Sequence, residues 1–293
     1  MLESFAAKDN RVRIFKRNRE PKGACTCRNM AVDFSTGDYL LFLDTDDLLA
    51  SFCLQQRVHA MQQNLENDFC IFQMILFKKK QDDLRLLWNI EKKEDEISRL
   101  LKGDPICQGT GTLWKKKSFV DIGMWNENLS IWQDIELHLR AHINLMKYSV
   151  HFEFPPDVFI RISDESLSRT DYHSENKVKS RLDVFEYACR QLSASGRLDI
   201  YRQGLRFMCQ GIWMNAIQGR YHFLNRRIKN LCKEFGLYSQ KEISGFSNYS
   251  WLVNTKAARL SFLEKAVKQK IPFENSGSGE TLGRVTYTEP IIL

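Results

Sequence analysis

The clearest pattern in the chain is Tyr39 to Leu43, five residues with no polar break, followed at once by Asp44, Asp46 and Asp47. An apolar run of strand length predicts a central parallel strand covered on both faces. Residues two apart on a strand share a side, so Asp44 and Asp46 are expected to converge where the sheet ends. Before this strand, Leu2 to Asp9 reads as the end of a helix and Val12 to Phe15 as a short strand. After it, Leu48 to Gln63 has helical length and apolar spacing, and Asp68 to Phe77 reads as another strand. Residues 78 to 83 form a solvated hairpin turn before Leu84 to Ile90, and Glu91 to Leu101 a short amphipathic helix. Beyond residue 176 the period becomes helical throughout, over Val178 to Leu192, Leu198 to Ile217 and Arg220 to Phe235.

The expected fold is therefore α/β, a mixed sheet flanked by helices over residues 1 to 175, with a helical extension over 176 to 272. Residues 273 to 293 have the composition of a disordered tail. At 293 residues and 43% hydrophobic content the chain supports one sizeable core and an appendage. No apolar run reaches the roughly 20 residues of a membrane span, and Met1 is not followed by a signal-type apolar stretch, which leads us to expect a cytoplasmic protein. The eight cysteines are scattered without a CxxC pair, so they read as reduced thiols rather than a zinc site or disulfide scaffold. A net charge of +7 favours anionic partners without naming one, and no nucleic-acid motif is present. The basic series Arg220, Arg226, Arg227, Lys229 and Lys233 suits a solvated face; the sharper reading is peripheral contact with a membrane carrying a lipid-linked acceptor.

Two hard carboxylate donors at the carboxyl edge of an α/β sheet suit Mg²⁺ or Mn²⁺ completed by water and phosphate oxygens. Gly23, Arg28-Asn29, Gly37-Asp38-Tyr39 and Asp44-Thr45-Asp46-Asp47, taken as a set, resemble glycosyltransferase family 2 of GT-A type. A phosphotransferase with DxD after an apolar strand is the rival, but it requires Thr or Val where this chain has Leu48. The resemblance spans residues 10 to 170. It implies a truncated Rossmann-type sheet, a nucleotide-sugar donor held by Arg28, Asn29, Asp44, Asp46 and Arg161, and a divalent metal held by Asp46 with Asp44. The family's first strands, ending in an acid that holds the nucleobase, have no counterpart here. At about 30 residues per βαβ unit, roughly 60 residues are expected to be missing. The alternative is a non-catalytic remnant that binds ligands weakly.

A second block, Gly109-Thr110-Gly111, Gly123-Met124-Trp125-Asn126-Glu127 and Trp132-Gln133-Asp134, resembles the acceptor side of the same family. Asp134 stands at the position of the catalytic base, at the head of a helix whose N-terminus favours its ionised form. Its competing role is that of an N-cap. Trp132 is expected either to stack on an acceptor sugar or to pack, and Gly109 and Thr110 to form a mobile loop beside a glycan or lipid-linked acceptor. His138 and His142 lack the Glu of HExxH, which argues against a zinc protease. Ser163 replaces a histidine common in the family, with His173 the nearest substitute in sequence.

Overall fold

The computed structural model describes residues 2–81, 83–163 and 170–255, together with residues 265, 271, 285 and 286. Helix α1 (Leu2–Ala6) leads through an extended segment to α2 (Ala24–Phe34), then β1 (Tyr39–Leu40), β2 (Leu48–Leu49) and α3 (Cys53–Gln63). Strands β3 (Phe69–Phe72), β4 (Met74–Phe77) and β5 (Leu86–Leu87) precede α4 (Glu96–Leu101). A 3₁₀ turn (Gly109–Gly111) leads into β6 (Thr112–Lys115), α5 (Lys116–Asp121), α6 (Gln133–Ile143), β7 (Tyr148–His151) and β8 (Val158–Arg161). Four helices follow: α7 (Glu175–Ala194), α8 (Arg202–Gln218), α9 (His222–Glu234) and α10 (Gln240–Asn254).

The run from 69 to 77 is apolar on both faces because it serves two sheets in succession, changing from one to the other at Gln73. The first sheet has the order β1-β6-β3-β7, and the second has β2-β8-β4-β5, with β9 (Val285–Thr286) at its edge. Pairing is parallel between β3 and β7 and between β4 and β8, antiparallel elsewhere. One face of the first sheet buries Leu40, Phe42, Phe69, Ile71 and Trp114 against α2, α5 and α6. The opposite face buries Cys70, Phe72 and Leu113 under Ala60 and Met61 of α3. The result is an α/β/α layering, as the mixed-sheet expectation requires.

Two expectations are corrected. Tyr39 to Leu43 is not a central parallel strand: β1 is two residues long, lies at the sheet edge and pairs antiparallel with β6, and Leu43 is 46% exposed. With hydrogen bonds on one side only, the chain leaves the sheet early. Residues 12 to 15 form no strand; Val12, Ile14 and Phe15 are exposed, and Phe15 stacks on Phe34 at 4.2 Å between ring centroids. Of the tail expected to be disordered, only Val285–Thr286 falls within the described residues, and it pairs with β5.

Helix α6 connects the sheet to the C-terminal helices. Leu137 and Ala141 pack on the sheet side, whereas Leu139 and Ile143 enter the core built by α7 to α10, in which Trp213 stacks on Phe246 at 4.0 Å. Residues four apart share a helix face, so these two pairs define two apolar stripes and fix the rotation of α6 about its axis. That rotation sets the direction of its first turn, which carries Asp134.

The basic series on α9 is only partly a free cationic face. Arg227 pairs with Asp183 and Glu186 of α7, and Lys229 donates to Ser247 of α10. Among the described residues no helix is long and apolar enough to cross a membrane.

Candidate active site

The chain after β1 closes a tight turn, Asp47 N–H donating to the Asp44 carbonyl at 3.1 Å. The turn replaces the strand continuation expected from sequence, and it places both Asp44 and Asp46 within electrostatic reach of Asp47. Asp44 forms an ion pair with Arg28 of α2, whose guanidinium lies over the Trp125 ring at 5.0 Å. Asp46 is exposed, and among the described residues its carboxylate has no hydrogen-bond or ion-pair partner.

Asp47, the third acid, is the buried one at 8% exposure. Its Oδ1 accepts from the Arg161 backbone N–H at 3.0 Å and its Oδ2 from the Thr110 hydroxyl at 3.2 Å. Burial is the main reason its carboxyl is pushed up to about 6, reinforced by the charges of Asp44 and Asp46, while the Arg161 and Thr110 bonds oppose the shift. A carboxyl raised in the folded state binds protons that the unfolded chain has already released. Stability contributed by this group is therefore present below about pH 4 and lost as pH rises to about 6. Asp47→Asn keeps both hydrogen-bonding positions and removes the charge. It should be near neutral at pH 4 and stabilise the protein at pH 7 by up to about 3 kcal/mol. Urea denaturation at the two pH values tests this; equal effects at both would refute it.

Asp134 lies in the first turn of α6, but the N-cap position belongs to Trp132, which holds a left-handed φ of 66°. The capping role is thereby excluded. Asp134 instead turns its Oδ1 to the Gly109 N–H at 2.7 Å. Its carboxyl is raised: burial is the largest cause and the charge of Asp44 adds to it, while Arg28 and the backbone N–H groups pull the other way. Sequence reasoning expected the helix N-terminus to favour the ionised form; desolvation acts against it and raises the carboxyl above its ordinary value.

Arg28 pairs with Asp44 in the turn after β1, and its charge also reaches Asp134 at the head of α6. Arg161 lies beside them. Its Nε donates to the Asp46 carbonyl at 3.0 Å and its Nη1 to the Lys78 carbonyl at 3.2 Å, and its guanidinium covers Phe77 at 4.3 Å.

Other expected site residues have structural duties. Asn29 is 3% exposed, and its amide brackets Trp125, donating to the Trp125 carbonyl at 2.9 Å and accepting from the Trp125 N–H at 3.0 Å. It anchors α2 and leaves nothing for a donor. Gly109 and Thr110 are buried in the 3₁₀ turn, and their polar groups face Asp134 and Asp47. Trp132 packs against the helical core, with the Arg181 guanidinium 5.8 Å from its ring centroid. His138 and His142 are buried among Phe69, Trp114 and Tyr148, and burial drives their imidazoles down to about 4 and about 3. His173 bonds Asn215 of α8 at 2.7 Å, on the helical side.

Two contributors escaped the sequence reading. Trp125 underlies Arg28, and among the described residues its buried Nε1 has no hydrogen-bond partner. Arg57 and Asp157, both 0% exposed, form a bidentate pair at 2.8 and 2.6 Å, while Arg57 Nη1 donates to the Thr110 carbonyl at 2.7 Å. Trp125 lies in the block that resembles the family's acceptor side, where no role was read for it; Arg57 and Asp157 lie in no motif, and the only signal is the charged Arg57 inside the apolar period of α3.

The family model for Glycosyl transferase family 2 matches residues 1–123. The match covers less than half of the chain, which over those residues is similar to that family. An uncharacterized glycosyltransferase of Methanocaldococcus jannaschii is 26% identical over 170 residues, 58% of this chain and 58% of the relative. One from Rickettsia bellii is 26% identical over 141 residues, 46% of this chain and 20% of the relative. The chain thus spans less than two thirds of either relative. In fold, it resembles S. aureus TarS residues 1–349, solved in complex with UDP-GlcNAc. The TM-score is 0.50 at 15% identity, covering 83% of this chain and 71% of TarS 1–349. The architecture is that of a GT-A glycosyltransferase with C-terminal helices.

Proposed function

We propose that this chain belongs to an inverting glycosyltransferase that moves a sugar from a nucleotide-diphosphate sugar to a hydroxyl of a glycan or lipid-linked acceptor. The observation that carries the reading is that Asp44 pairs with Arg28 while the buried Asp134, held by the Gly109 N–H at 2.7 Å, lies within electrostatic reach of the same guanidinium. A donor-side carboxylate and a desolvated carboxylate of raised affinity for protons are what single-displacement transfer needs. Asp134 takes the acceptor hydroxyl proton as oxygen attacks the anomeric carbon, on the side opposite the departing diphosphate. Arg28 and Arg161 supply positive charge on the donor side. The UDP-GlcNAc complex of TarS supports a nucleotide sugar as the donor class.

The residues present also suit a divalent ion. Asp46 offers an uncommitted hard oxygen donor in the same turn as Asp44, although among the described residues no group of three or more His, Cys, Asp or Glu that could by itself hold a metal ion is present. Mg²⁺ and Mn²⁺ sites of this open kind are completed by substrate phosphates, and the ion supplies charge neutralisation for the leaving diphosphate. All eight cysteines are free, which suits the reducing cytoplasm.

The test is calorimetry of nucleoside diphosphate binding with and without Mn²⁺, beside a screen of nucleotide sugars for acceptor-dependent nucleotide release. Mn²⁺ should strengthen binding to the wild type and have no effect on Asp46→Ala. Metal-strengthened binding that persists in Asp46→Ala removes that residue from the metal site, and no nucleotide binding by the wild type overturns the proposed function.

A further inference from the structure

Resting on the function proposed above, we infer that the buried turn Gly109–Gly111 couples the donor side of the site to its base, with Asp47 and Thr110 as positioning residues. The connection is short. Asp47 closes the turn that bears Asp44 and Asp46, and it accepts the Thr110 hydroxyl at 3.2 Å. One residue back, the Gly109 N–H donates to Asp134 Oδ1 at 2.7 Å. Two hydrogen bonds, the Thr110 side chain and the short backbone from Thr110 to the Gly109 nitrogen, with one planar peptide unit within it, therefore link donor turn to base carboxylate.

The turn is held on every side, so a displacement at one end has no slack in which to dissipate. The Thr110 N–H donates to Gln108 Oε1 at 3.1 Å, and the Thr110 carbonyl accepts from the buried Arg57 at 2.7 Å. A Cβ on Gly109 would lie 3.0 Å from Asp134 Oδ1 and 3.2 Å from Trp125, and one on Gly111 only 2.6 Å from Met74. Both positions are tight, the first against Asp134 and Trp125 and the second against the Met74 thioether. Thr110 is 1% exposed, so its hydroxyl acts on the reaction only through Asp47 and never on substrate. A donor that shifts the Asp44–Asp47 turn shifts Thr110 with it and resets the Gly109 N–H against Asp134.

Thr110→Val removes the hydroxyl with little change of shape, and Thr110→Ser restores it. In Thr110→Val, single-turnover transfer should fall by about 10–100-fold, the usual scale for a base misplaced by an ångström or less. Nucleoside diphosphate affinity, measured by calorimetry, should change by less than about threefold because the metal and phosphate groups stay in place. The acid limb of the pH–rate profile should move to higher pH, since a Gly109 N–H drawn away from Asp134 no longer favours its charged form. Thr110→Ser should return both rate and limb to wild type. Wild-type rate and limb in Thr110→Val overturn the coupling, as does a rate loss that merely follows the fraction of unfolded protein with the limb unmoved. Absence of nucleotide binding and transfer in the wild type is the separate failure of the proposed function, and the coupling falls with it.

Discussion

Asp134→Asn should lower single-turnover transfer by about 10²–10⁴-fold, the contribution of one positioned base, while nucleoside diphosphate affinity stays within a few-fold of wild type. The substitution keeps an oxygen for the Gly109 N–H at the 2.7 Å position and loses only the ability to take a proton. Melting temperature should therefore hold, or rise slightly, because the carboxyl is buried at a cost and an amide carries no charge to desolvate. The wild-type pH–rate profile should climb as Asp134 deprotonates, with its midpoint above the ordinary carboxylate range, because burial and Asp44 raise the group more than Arg28 lowers it. In Asp134→Asn that limb should vanish. Full transfer by the variant would remove Asp134 from the chemistry. A joint loss of melting temperature and activity would assign it a structural role.

Local motifs made the two ends of the site legible, and the space between them was not. The acids after the apolar run, Arg28 and Asp134 could be named from the sequence because the chemistry demands those residue types and family spacing locates them. Asn29 shows the limit of the same argument. It sits in the matched pattern, yet its amide is spent on the Trp125 backbone, a partner 96 residues away that no local rule reveals. Gly109 to Gly111 shows a related limit. Two glycines flanking a threonine read as flexibility, whereas here they allow Asp134, Trp125 and Met74 to approach the backbone closely. Tyr39 to Leu43 was predicted as central because hydrophobicity reports burial and says nothing of how many neighbours a strand has. The helical period beyond residue 176 was legible, but not that α6 would divide its apolar faces between the sheet and those helices.

The largest loss of stability should come from Asp157→Ala, which leaves the Arg57 guanidinium buried without its counter-charge. Both side chains are 0% exposed and joined by two hydrogen bonds, and removing one partner of such a pair costs about 3–5 kcal/mol. At roughly 2–4 °C per kcal/mol for a chain of this size class, the melting temperature should drop by about 6–20 °C. An apolar replacement of both residues, Arg57→Met with Asp157→Leu, has no charge to desolvate and should recover most of that loss. Transfer should not recover with it. Arg57 also donates to the Thr110 carbonyl, and without that bond the turn beneath Asp134 loses one of its fixed points. A stable double variant with impaired transfer separates the two duties of Arg57, one to the fold and one to the site. Wild-type stability in Asp157→Ala would refute the first duty. Wild-type transfer in the double variant would refute the second, because a turn that holds Asp134 in place without Arg57 was never dependent on it.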